Sequence, residues 1–400
     1  MGSIEELMTA REEIRRKALA LTERVLPLVL AAAFVMSYWT FIGTRIIIGL
    51  CLWFALLNFR AVFRDRWAMI VLGFFALIAA KDAAMALFAD GRLLPVIKSS
   101  SRVVVLFGSA ALLRAYPRER LERILGAALG VTALCMTVYW AEIVGQITII
   151  PGGVLKLRQV FQQNTPGMLS LWFPLFLLPR ALKGSGWKKT MKVFAILAVS
   201  SGVLFFDSSF GGSRVAPVAF GAAAVYVLIA PRIPTRISLP ALVLLMAIGT
   251  TALTIWFSPK INDLLFYRQD LWRGYAGKAL ERPITGWGFT NEKANMALLE
   301  ERMRGTLAYP EFHDRGLGPH NSLVAMLFEN GAILAAAYAV MLLFRARRAA
   351  ARPGFLDASF LAFIVLMAND AMNPGGVRFL GFFLGICLLA ADTAEAEPDE

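Results

Sequence analysis

From about residue 25 to residue 389 the sequence returns repeatedly to apolar runs of membrane-spanning length, separated by short stretches rich in charge, proline or glycine. One hydrocarbon crossing takes roughly 20 apolar residues, and about twelve runs qualify. They lie near 25–42, 44–59, 67–80, 94–113, 122–150, 167–182, 191–207, 215–230, 238–257, 320–344, 355–372 and 378–391. A chain of 400 residues that is 58% hydrophobic, with its apolar residues in such blocks, is not patterned for one water-soluble core. The expected fold class is an all-α polytopic membrane protein with about 12 transmembrane helices.

Residues 1–24, MGSIEELMTAREEIRRKALALTER, are charged and amphipathic. They show no small-residue cleavage site ahead of a short apolar core, so a cytoplasmic segment leading into an uncleaved anchor is expected. With that end inside, the segments NFRAVFRDR, LLRAYPRERLER, PRALKGSGWKKTMK, PRIPTR and RARRAAAR are also cytoplasmic. Together with the N-terminal segment they hold about 23 of the 41 Lys and Arg residues, against about 7 in the short outer loops. The net charge of +13 then reads chiefly as topology signal and contact with anionic headgroups. No basic stripe interleaved with aromatics points to nucleic acid. Cys51, Cys135 and Cys387 fall inside apolar runs without regular spacing and read as packing residues, not as a disulfide framework or zinc site.

The expected organisation is transmembrane helices 1–9 over 25–257, a long outer connection over 258–319, helices 10–12 over 320–391, and an acidic tail over 392–400. The long connection is the part most suited to function, because extended loops in compact domains are more often functional than idle. Leu264, Leu265, Leu271, Trp272, Tyr275 and Leu280 predict a helix over 261–281, closed by Pro283. ITGWGFT reads as a turn, and NEKANMALLEERMRG as a second short helix with Asn291 as its cap and Gly305 past its end. A small helical lid on the outer membrane face is expected.

Positive charge on the outer side runs against the insertion bias. Arg158, Arg214, Arg268 and Arg378 each lie at or near the outer end of a predicted span, as does His320. Arginine presents a planar fork of donors suited to phosphate oxygens, so these residues are candidates for holding a lipid diphosphate. The plainer alternative is that each snorkels to headgroups or pairs with a local acid such as Asp207, Asp270 or Asp370. GGSR also places backbone amides at a helix start, a second feature that favours anions. His320, in GPHNSLVAMLFENG, either bonds locally to loop backbone or moves a proton near neutral pH. Glu329, nine residues on, falls on the opposite face of a continuous helix and reads as a structural partner to another helix. Glu311, His313, Asp314 and His320 match no familiar metal-ligand spacing.

Four motifs together resemble the O-antigen ligase and polymerase superfamily of bacterial envelope membrane proteins: LRQVFQQNTPG, GGSRVAPVAF, YRQDLWRGYAGKALERPITGWGF and HNSLVAMLFENG. The shared region covers about residues 205–345. The resemblance implies a GT-C-like glycosyltransferase of the inner membrane whose long loop is periplasmic. Its donor is a glycan on undecaprenyl diphosphate, and in the ligase branch its acceptor is the lipid A core oligosaccharide. It implies inverting transfer without a metal or other cofactor. His320, Arg214 and Arg268 match the family's catalytic positions; Arg158, Asn164, Ser213, Trp272, Asn321 and Arg378 are expected at the substrate. A ligase is favoured by the single long outer loop. The alternatives are a polymerase, in which a second lipid-linked glycan is the acceptor, a protein-glycosylating relative, and, from another class, a polyprenyl-glycan transporter. Against the transporter stands the absence of matching interrupted helices in the two halves of the sequence.

Overall fold

The computed structural model describes residues 4–39, 41–90, 93–149, 165–209, 215–229, 258–265, 267–288, 292–315, 317–348, 354–368 and 379–390, with isolated positions between 237 and 256. Among them there is no strand. The helices are α1 (Ile4–Trp39), α2 (Phe41–Phe63), α3 (Arg66–Met85, extended by a π-helical turn, Ala86–Asp90), α4 (Leu93–Ala115), α5 (Arg118–Ile149), α6 (Thr165–Leu182), α7 (Gly186–Ser209) and α8 (Val215–Ile229). After them come α9 (Pro259–Leu264), α10 (Arg268–Ala279), α11 (Glu292–Met303), α12 (Tyr309–Arg315), α13 (Ser322–Arg347), α14 (Phe355–Met367) and α15 (Phe379–Leu389).

Among the described residues five segments, 9–36, 42–63, 66–88, 93–115 and 322–347, are long and apolar enough to cross a bilayer, and 171–182, 215–229, 355–367 and 380–389 are shorter apolar helices. The chain is thus an α-helical protein with the features of a membrane-embedded one. The expected span over 238–257 lies mostly outside the described residues. The charged segment expected over 1–24 is helical from Ile4 and continuous with the first apolar run, since α1 covers both without interruption for 36 residues. At 1.5 Å per residue that is about 54 Å, well beyond a hydrocarbon core of about 30 Å.

Helix α4 is a hub, packing against α2, α3 and α15, while α1 bridges α2 and α5, and α6 joins α5 to α7 and α8. Asp65 shows how local chemistry fixes this register. Its carboxylate caps α3 by accepting from the amides of Trp67 (3.0 Å) and Ala68 (3.1 Å), satisfying donors that a helix start leaves free. The same carboxylate takes Arg114 Nε at 3.1 Å, tying the start of α3 to the end of α4. Trp172 is fully buried where α6 meets α14 and α15, with ring centroids 4.4 Å from Phe363 and 5.2 Å from Phe383.

A buried ionic network joins four elements at the Arg347 end of α13. Arg345, with no exposure, gives Nη2 to Asp357 Oδ1 (3.0 Å) and Nε to the Cys387 carbonyl (2.8 Å). Arg118 at the start of α5 takes the other Asp357 oxygen at 2.6 Å and lies 3.4 Å from Glu122. Two arginines therefore meet two carboxylates, and Asp357 also accepts the Gly354 amide at 3.3 Å.

Helix α13 is broken. Gly331 has φ 81°, ψ 172° inside it, and the freed groups find partners in the connection between α10 and α11. In an unbroken helix the Ala332 amide would bond Phe328 O. Here it donates to Pro283 O at 2.6 Å, and Phe328 O instead accepts from the Trp287 amide at 2.8 Å. Glu329 O accepts from the Gly288 amide at 3.0 Å. This exchange is what a low-dielectric surrounding demands, since a backbone group left unpaired there costs several kcal/mol. Two glycines permit it. A Cβ at Gly331 would lie 2.3 Å from Ile284 O, and one at Gly286 (φ 65°) would lie 2.5 Å from Glu329 O. Gly331→Ala is expected to lose about 1–3 kcal/mol from backbone conformation alone, with the overlap adding to it. Gly49→Ala, where nothing stands within 4 Å, is expected to be neutral. Thermal unfolding of the two variants in detergent checks the contrast; equal melting temperatures would contradict it.

Candidate functional site

The expected helix over 261–281 is two helices, α9 and α10, separated by Tyr267 in a left-handed conformation (φ 60°). Asn262 and Asp270 hold the corner. Asn262 Nδ2 donates to Asp270 Oδ2 at 3.1 Å, the Asp270 amide donates to Asn262 Oδ1 at 3.3 Å, and the Ala308 amide reaches Asp270 Oδ2 at 3.3 Å. Arg268 opens α10 directly after this corner and is half-buried. The second expected helix is α11, and Gly305 follows its end with φ 86°. Asn291, expected as its cap, is outside the described residues, and α12 is an element the sequence reading did not anticipate.

A small apolar core made of Leu271, Trp272, Tyr275 and Ala279 of α10, Leu299 and Met303 of α11, Phe312 of α12, and Val324 and Phe328 of α13 unites the connection with the first turns of α13. Tyr275 packs edge-on against Phe328, with centroids 4.9 Å apart, and its hydroxyl donates to Leu317 O at 2.8 Å. That bond fastens α10 to the loop 317–321, which carries His320. Trp287 is held from below by its indole N–H to Lys278 O (2.9 Å), and Arg282 and Lys278 lie 4.1 and 4.7 Å from its ring centroid. On the open side Glu281 bonds Lys278 at 2.7 Å and Arg302 at 3.0 Å. The Lys278 and then the Arg302 hydrogen bonds hold its carboxyl below the usual carboxylate range.

His320 is half-buried and outside the helix, with φ 46°. Helix α13 begins at Ser322, capped by Asn321, whose Oδ1 accepts from the amides of Leu323 (3.0 Å) and Val324 (3.1 Å) and whose Nδ2 donates to Ala368 O at 2.8 Å. Because His320 lies outside α13, a rotation of nine helical residues does not relate it to Glu329. Four of the sequence-predicted residues are described. His320 and Arg268 stand on elements that touch. Asn321 has no exposure and is spent on capping, and Trp272 is 2% exposed within the small core, its indole N–H without a hydrogen-bond partner among the described residues. Arg158, Asn164, Ser213, Arg214 and Arg378 are outside the described residues.

Sequence reasoning passed over a charged cluster just beneath this loop. Arg102, Lys81, Asp82 and Lys98 are the charged neighbours of Glu329, and Arg102 and Asp82 are buried. A signal for them was present, because ionisable residues inside or at the edge of an apolar run are costly and so usually have a purpose. No group of three or more metal-ligating side chains occurs among the described residues; His313 and Asp314 are exposed on α12. A cavity of about 590 Å³ lies at the other end of α4, lined by Glu12, Arg15, Glu23, Tyr116 and Arg120 among others, and touches none of the candidates. Set against protein-family models, curated proteins and solved structures, the chain matches none of them.

Proposed function

We propose that this chain is an O-antigen ligase of the bacterial inner membrane, with about 12 transmembrane helices and the connection 258–319 on the periplasmic side. It transfers a glycan from undecaprenyl diphosphate to the lipid A core oligosaccharide. The observation that carries the reading is backbone strain. Among the described residues only two that are not glycine have positive φ, Tyr267 and His320. One immediately precedes Arg268 and the other is the histidine itself. Such conformations cost on the order of 1–3 kcal/mol and gather at functional sites.

In the proposed reaction an acceptor sugar hydroxyl attacks the anomeric carbon of the donor's first sugar. The bond from that carbon to the diphosphate oxygen breaks, and undecaprenyl diphosphate departs with the electron pair. His320 takes the proton the hydroxyl loses. Arg268, with Arg214 and Arg158, stabilises charge on the leaving diphosphate, at about 1.5–3 kcal/mol for each charge-assisted bond. The apolar helices hold the polyprenyl tail, and the connection confines the sugars.

A polymerase would use the same residues with a second lipid-linked glycan as acceptor, so offering both acceptors to the purified chain decides the branch; extension of neither defeats the proposal. For Arg268→Ala, transfer is expected to fall about 10- to 100-fold, and by the same factor for donors with different glycans. Transfer rates measured with two unrelated glycans check this, and a loss confined to one glycan would contradict a diphosphate role.

A further inference from the structure

Lys81 sends one ammonium group to two segments beyond its own helix. Its Nζ donates to Glu329 O at 2.8 Å, to Asn330 Oδ1 at 3.0 Å and to Thr285 O at 3.3 Å, and it lies 3.2 Å from Asp82 Oδ1. Its side chain is only 15% exposed. Two carbonyls, one amide oxygen and one carboxylate around a single positive charge form the kind of oxygen set that holds a small monovalent cation. The location explains the need. The first part of α13 ends at the Gly331 break, where a helix presents the negative end of its dipole and carbonyls that no following turn can satisfy. Glu329 O is one of these, and it is shared between Lys81 and the Gly288 amide. Asn330, held from the other side by its Nδ2 donating to Met326 Sδ at 3.0 Å, turns its Oδ1 to Lys81.

We infer that Lys81 is a tethered cation that clamps the 283–288 turn into the break of α13. It is thereby a positioning residue for the loop bearing His320 and for α10, which begins at Arg268. The clamp and the packing of Tyr275 on Phe328 fasten the connection at two points on α13, so α10 is a fixed wall of the site and not a hinged flap. Removing the side chain leaves a vacancy for a small primary ammonium ion. The clamp itself rests only on the contacts around Lys81; its importance for catalysis rests on the function proposed above.

The test is hydrogen exchange by mass spectrometry on the full chain in detergent, comparing wild type with Lys81→Ala and Lys81→Met. Exchange in the peptides holding the amides of Trp287, Gly288 and Ala332 is expected to rise about tenfold or more in both variants, with α2 unchanged. Ethylammonium chloride is expected to reverse the rise in Lys81→Ala, whereas tetramethylammonium, which has no N–H to donate, is not. Unchanged exchange in these peptides would overturn the inference, as would a rise spread over all helices that ethylammonium leaves in place. If Lys81→Ala does not fold, the same peptides in Lys81→Met decide. The exchange readout needs no substrate, so an inactive wild-type chain would count against the proposed function and leave the clamp standing.

Discussion

Replacing His320 by alanine is expected to lower glycan transfer by about 10²- to 10⁴-fold, the range for losing a positioned acid or base, while donor binding stays near the wild-type value. The side chain, not the backbone, should account for the loss. At φ 46° alanine is at least as strained as histidine, and Asn321 still caps α13 through Leu323 and Val324. His320→Gly separates the two effects, because glycine relieves the strain without restoring an imidazole. It should be at least as stable as His320→Ala and equally inactive. Donor binding by a fluorescent lipid diphosphate, together with single-turnover transfer, gives the comparison. A proportional loss of binding and turnover in both variants would make His320 a binding residue.

The second large effect falls far from that site. Asp357→Ala removes the carboxylate shared by Arg345 and Arg118 and leaves a fully buried guanidinium without its counter-charge. Breaking a buried pair in this way typically costs about 3–5 kcal/mol. Arg345 has little room to find another partner, since its Nη1 already lacks one among the described residues and its Nε is committed to Cys387 O. The double variant Arg345→Met with Asp357→Leu is expected to recover much of the loss, because well-packed apolar residues can replace a buried ion pair at little cost. Unfolding in detergent, followed by tryptophan fluorescence, measures both. A single variant as stable as wild type would show that the network contributes nothing.

The long apolar helices, such as α2, α3, α4 and α13, were legible because block length alone announces a helix in a lipid-like setting. Gly305 as the stop of α11 was legible too, as glycine after a periodic run usually is. The break at Gly331 was not. A single glycine in GAILAAAYAV interrupts no apolar period, and its meaning depends on Pro283, Trp287 and Gly288 arriving from about 45 residues earlier to take the freed backbone groups. The same limit hid Lys81, whose four oxygens come from three segments. It also hid Arg345, which sits in RARRAAAR and reads as a cytoplasmic charge until Asp357 is seen beside it. Asn321 and Trp272 have local roles that the sequence did not show: Asn321 caps α13 and Trp272 packs in the small core of α10 to α13.

The most direct measurement is transfer by the purified wild-type chain in detergent with EDTA present, given an undecaprenyl-diphosphate glycan and, in parallel, lipid A core or a second lipid-linked glycan. The account predicts product on lipid A core, with undecaprenyl diphosphate released in equal amount. Lengthened lipid-linked glycan would move the chain to the polymerase branch. No transfer to either acceptor, with donor shown to be bound, would contradict the glycosyltransferase reading itself.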